Sequence, residues 1–86
     1  MTPRRLEEWI LDQILCALYR LTGESIHAHY PLEAVLRKVN PAIRGDVKRG
    51  IRQLERQGLV YRKGGTKSYG LTQEGLEKVR EICIEE

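Results

Sequence analysis

The side chains in this sequence with the most evident chemistry are cationic, and they are crowded together. Residues 44–67 hold eight Lys/Arg (Arg44, Lys48, Arg49, Arg52, Arg56, Arg62, Lys63 and Lys67) against two acids, Asp46 and Glu55, a balance of +6. The rest of the chain has a balance of −3, which leaves the net +3. Segregation of this kind suits a surface that faces a polyanion. Guanidinium groups bind phosphate oxygens and pair bidentately with guanine O6 and N7, whereas a lysine ammonium acts as a point charge toward phosphate.

Other chemistry is sparse. His27-Ala28-His29 would place two imidazoles on one side of an extended segment. Two histidines are half of a zinc site, and no third ligand is visible, so no metal is expected. Cys16 and Cys83 are too few for a disulfide framework or a cysteine zinc site. Each reads as a small buried apolar residue, or the two form one bond if the first and last helices touch. No Ser-His-Asp or Cys-His spacing and no phosphate-binding glycine loop occurs, so neither enzymatic activity nor a cofactor is expected. The Arg44-Gly45-Asp46 triplet falls inside a helical pattern and is treated as chance.

These groups must be positioned by a small scaffold. The 86 residues make one domain, 1–86, with 41% hydrophobic and 31% charged residues, a composition of folded rather than disordered chains. No apolar run is long enough for a membrane span. The start, MTPRRLEEW, is a poor signal peptide, and a cytoplasmic location is expected.

Helical periodicity predicts a first helix over about 3–22, capped by Thr2-Pro3 and ended by Gly23. Leu6, Ile10, Ile14, Ala17, Leu18 and Leu21 form its stripe, while Trp9, Leu11, Leu15 and Cys16 lie off it. Ser25-Ile26-His27 could add a short strand. A second helix over about 31–39 carries Leu32, Val35, Leu36 and Val39 on one face. Asn40-Pro41 breaks it and starts a third helix over about 41–57, with Ile43, Val47, Gly50, Ile51 and Leu54 inward. At about 100° per residue, Gly45, Arg49, Arg52 and Arg56 face outward, with Arg44 and Lys48 on one flank. After Gly58 the period becomes two. Strands at 59–62 and 67–71 flank a tip at 63–66, a hairpin over about 59–71. Thr72 caps a last helix over about 73–84, whose apolar side is Leu76, Val79, Ile82 and Cys83. The expected fold class is mostly α with a small β-hairpin, an α+β arrangement.

The segment LERQGLVYRKGGTKSYGLTQEG, residues 54–75, resembles the winged helix-turn-helix family of DNA-binding regulators, including small bacterial and archaeal proteins of MarR-like type. The resemblance covers most of residues 6–83. It implies a three-helix core plus a wing and a C-terminal helix. It also implies that the third helix enters the DNA major groove and that the hairpin lies over the backbone or minor groove. On that footing Arg49 and Arg52 are the candidates for base-edge contacts, and Arg44 and Lys48 for bases or phosphates. Arg56 and the wing residues Arg62, Lys63 and Lys67 are candidates for phosphate. Gly45 would leave the helix backbone close to DNA, and Gly50 would allow close helix packing. Asp46 would repel phosphate; it either accepts from cytosine N4 or pairs with Arg49. Tyr61 and Tyr69 could stack on bases, or pair across the hairpin and cover the core.

The implied function is sequence-specific double-stranded DNA binding by a transcriptional regulator. The excess apolar surface of the first helix suggests a homodimer through that helix and the C-terminal helix. The alternative is an adaptor that uses the first helix to bind protein, or that binds RNA, within a larger complex. A basic helix face is also what an ordinary solvated surface looks like. No effector pocket for a small molecule is legible.

Overall fold

The computed structural model describes residues 7–64 and 67–83. The Thr2-Pro3 cap and Leu6 lie outside the described residues. The first helix, α1, runs Glu8–Thr22 behind an extended Glu7, which supplies no side-chain cap. Ile10, Leu11, Ile14, Leu15, Ala17 and Leu18 are all buried in it. Leu11 and Leu15, expected off the stripe, are covered because α1 is the central helix. It packs against each of the other α-helices and two strands. Trp9 is the large apolar side chain left outside among the described residues, 53% exposed. Gly23 ends the helix at φ 64°, and its N–H donates to the Tyr19 carbonyl. A side chain would resist that backbone conformation.

The short strand is not at 25–27. It is β1, Tyr30–Pro31. The Ser25 hydroxyl oxygen accepts from the His27 N–H at 3.1 Å, so this stretch bonds locally instead of pairing. Proline is tolerated at β1 because the strand is an edge: the sheet order is β1-β3-β2, all antiparallel. Next comes α2, Leu32–Lys38. The third helix is not one α-helix from 41 to 57. Pro41–Asp46 forms 3-10 turns, and α3 spans Val47–Arg56. Gly45 and Asp46, both weak helix formers, stand at the change. Asn40 is the expected cap: its Oδ1 accepts from the Ala42 N–H at 2.9 Å. Ile43, Val47, Gly50, Ile51 and Leu54 face inward as expected.

Gly58, at φ 79°, reverses the chain after α3. Its N–H donates to the Glu55 carbonyl, and the Leu59 N–H donates to the Leu54 carbonyl. That pair of bonds is the usual glycine-dependent helix ending. The hairpin strands are β2, Val60–Lys63, and β3, Ser68–Leu71. Lys63 pairs with Ser68, Arg62 with Tyr69 and Tyr61 with Gly70. The turn is therefore shifted by one residue from the 63–66 expectation. Tyr61 lies opposite Gly70 and Tyr69 opposite Arg62, so the two tyrosines point to opposite faces and do not pair across the hairpin. The Tyr61 hydroxyl donates to the Ile26 carbonyl at 3.0 Å, and its ring covers Gly70. The last helix, α4, runs Gln73–Ile82, with Thr72 Oγ1 accepting from the Gly75 N–H at 3.0 Å. Leu76 and Val79 enter the core.

Cys16 and Cys83 are joined as a disulfide with a Cα–Cα separation of 5.8 Å. The alternative of two separate small apolar residues is thereby excluded, and α1 and α4 are covalently tied. Among the described residues no helix is long and apolar enough to cross a membrane.

Candidate nucleic-acid interface

The inward set of α3 decides what it presents outward. With Val47, Gly50, Ile51 and Leu54 in the core, Arg49 and Arg56 project to the opposite side, and Lys48, Arg52 and Glu55 fall along one flank. All nine residues expected to contact nucleic acid are exposed: Arg44, Gly45, Lys48, Arg49, Arg52, Arg56, Arg62, Lys63 and Lys67.

The structure divides these nine. Lys48 and Arg52 line a hollow of about 360 Å³ together with Arg62 and Lys67 of the hairpin. The register that turns Tyr61 away puts Arg62 beside Tyr69, and Tyr69 lines the same hollow. Leu32 and Glu33, at the start of α2, close the third side, and Glu55 of α3 adds a second carboxylate. Leu32 and Tyr69 are partly buried and pack against the core, so part of the hollow's lining is apolar.

The other expected residues lie outside the hollow. Arg49 Nη2 donates to Asp46 Oδ1 at 3.3 Å, an i,i+3 ion pair at the start of α3. This is the structural role expected of Asp46, and an exposed pair of this kind contributes about 0.5 kcal/mol. Arg44 Nε donates to the Leu36 carbonyl at 2.9 Å, tying the 3-10 turns to the end of α2. Around Gly45, nothing lies within 4 Å of where a Cβ would stand. Arg56 is exposed at the last turn of α3, and Lys63 at the end of β2.

Glu33, Glu55 and Leu32 were not expected in the site, whereas Tyr69, read from the sequence as stacking on bases or covering the core, lines it. Glu55 was accessible to reasoning, since 48, 52 and 55 share a helical flank. Glu33 and Leu32 come from another helix, and no local pattern points to them. The sequence carried no sign of the hollow itself.

His27 is exposed and His29 half-buried, with its Nδ1 enclosed and without a hydrogen-bond partner among the described residues. No group of three or more His, Cys, Asp or Glu that could hold a metal converges among the described residues.

The ionisable groups with displaced pKa values lie elsewhere. Arg80 Nη2 donates to Glu24 Oε1 at 2.7 Å, and the Tyr19 hydroxyl donates to Glu24 Oε2 at 2.9 Å. These two bonds hold the Glu24 carboxyl below its ordinary range, the arginine first. Burial raises Asp12, with Lys78 opposing and Glu8 reinforcing the shift.

No family model matches this chain, and no curated protein or solved structure does either.

Proposed function

We propose that the chain is a sequence-specific double-stranded DNA-binding protein, a transcriptional regulator of winged helix-turn-helix type. In this reading α3 is the recognition helix in the major groove and the β2–β3 hairpin is the wing on the backbone. One observation carries it: α3 and the β2–β3 hairpin that follows it turn exposed cations toward a common hollow, with Arg49 and Arg56 continuing the charge over the outer face of α3. Phosphate contacts would supply most of the affinity, and side chains on α3 the base discrimination. Arg49, already held by Asp46, and Arg52 remain the base-edge candidates.

The adaptor reading, with protein or RNA as partner, is favoured by one feature, the exposed Trp9 in the first turn of α1. The proposed homodimer through α1 and α4 rests on the same residue, since Leu11 and Leu15 are used within one chain.

Fluorescence anisotropy against random duplex DNA across a salt series tests the proposal. The native chain should show a steep negative slope of log affinity against log salt. On random duplex the Arg49→Ala/Arg52→Ala variant should reduce that slope, by up to about 2 where both arginines rest on phosphates in the absence of their cognate bases. No binding at low salt would overturn the DNA reading and leave the adaptor reading, with α1 as the bait for partners.

A further inference from the structure

The hollow between α3, the hairpin and α2 has a lining that a duplex backbone explains only in part. Four cations (Lys48, Arg52, Arg62 and Lys67) share it with two carboxylates, Glu33 and Glu55. Among the described residues ion pairs form at Arg49–Asp46 and Arg80–Glu24, and neither belongs to the hollow. Its charges therefore stand apart from one another, ready for an occupant. A phosphate backbone would engage the cations but leave the two carboxylates, Leu32 and Tyr69 without partners. A paired base inside a duplex has no free face to lay on Tyr69.

We infer that the hollow is a binding site for a nucleoside monophosphate. Each part of the lining then has a partner. The excess of two positive charges matches a phosphomonoester, whose charge at neutral pH is about −2. Arginine and lysine together suit its oxygens. Glu33 and Glu55 are acceptors only, and they take donors such as ribose hydroxyls or an exocyclic amine. A planar base covers Tyr69 and Leu32. The volume, about 360 Å³, falls within the roughly 300–1,000 Å³ of small-molecule sites. Such a ligand would occupy four of the cations assigned to DNA, so it would displace DNA; that consequence alone rests on the function proposed above.

The test is a titration of the 15N-labelled full chain with adenosine 5′-monophosphate, followed by amide chemical shifts. Adenosine and inorganic phosphate are titrated in parallel at constant ionic strength. The nucleotide should saturate, with shifts gathered at residues 48–55, 62, 67 and 69, and bind at least tenfold tighter than either half. Arg52→Gln should weaken it about tenfold or more. Glu33→Gln/Glu55→Gln should weaken the nucleotide yet strengthen inorganic phosphate. All three substitutions are at surface-accessible side chains, and the spectrum itself reports that the variants fold. Equal affinity for nucleotide and phosphate would overturn the site, as would unsaturable shifts spread over every basic residue. The DNA salt slope is read without nucleotide, so it stands or falls separately. If the slope is present and the nucleotide does not saturate, only the site is lost.

Discussion

Thr72 and Gly58 are joined by a short bond: Thr72 Oγ1 donates to the Gly58 carbonyl at 2.6 Å. The same oxygen accepts from the Gly75 N–H, and the Thr72 N–H donates to the Leu59 carbonyl at 3.1 Å. One residue thus caps α4 and fastens it to the turn that joins α3 to the hairpin. Losing a helix cap costs about 1 kcal/mol, and orphaning the Gly58 carbonyl adds to that. Thr72→Val should destabilise the fold by about 1–2 kcal/mol in urea unfolding, and Thr72→Ser by under about 0.5 kcal/mol. Equal effects of the two would show that the hydroxyl is not what matters.

Two glycines should respond in opposite directions. A Cβ on Gly75 would run into the Leu59 carbonyl, a backbone atom that cannot swing aside. Gly75→Ala should cost about 3 kcal/mol, as severe overpacking does. Gly45 has no positive φ and open space around the missing Cβ. Gly45→Ala should be neutral or stabilising by up to about 1 kcal/mol in thermal unfolding. If the same variant also weakens duplex binding, the glycine is kept for the backbone's approach to DNA and not for the fold.

The Cys16–Cys83 bond closes nearly the whole chain, with a sequence separation of 67. A loop of that length constrains the unfolded chain by about 4 kcal/mol in the chain-entropy account. For so small a domain this is a large share of its stability. Dithiothreitol should lower the melting temperature of the native chain and leave that of a Cys16→Ser/Cys83→Ser variant unchanged. Identical melting of the native chain with and without reductant would show that the bond contributes nothing.

The elements of the fold were legible where local chemistry announces them. Gly23, Asn40-Pro41, Gly58 and Thr72 mark chain reversals or helix starts through backbone freedom or side-chain caps, and these signals act within a few residues. What local chemistry could not supply was partnership. That β3 lies between β1 and β2 depends on β1, distant in sequence, and the ladder that sets Tyr61 opposite Gly70 and Tyr69 opposite Arg62 puts the two tyrosines on opposite faces. Leu11 and Leu15 looked surplus because several elements wrap α1, which only tertiary structure reveals. The site follows the same division. The exposure of Arg49, Arg52 and Arg56 came from helical spacing, whereas Glu33 reached the hollow through packing of α2.

Acid stability should report on Glu24. Its folded pKa lies below the ordinary 4.5, held there by Arg80 and Tyr19. A depressed carboxyl stabilises the fold above its unfolded pKa, and that contribution disappears as pH falls through the folded value. The native chain should therefore lose stability below about pH 4.5, and Glu24→Gln should flatten that part of the profile. Asp12 acts in the opposite sense, because burial raises its pKa, so ionising it on going from acid to neutral pH disfavours the fold. Asp12→Asn should then steepen the net loss on acidification, measured by denaturant midpoints between pH 3 and 7.

Asp46 offers the clearest separation between a role in the helix and a role in recognition. It pairs with Arg49 at 3.3 Å, with the arginine side chain 58% and the aspartate 33% exposed. A pair so open to solvent is worth little to stability, so Asp46→Asn should shift the unfolding free energy by under about 0.5 kcal/mol. The substitution also removes a negative charge from the front of α3 and releases Arg49. If α3 meets a phosphate backbone, affinity for random duplex DNA should rise several-fold at low salt, with the gain shrinking as salt increases. If Asp46 instead reads cytosine, affinity for a selected binding site should fall while random-sequence binding rises, narrowing the ratio between them. An unchanged affinity for both would place the front of α3 away from nucleic acid and return attention to Trp9.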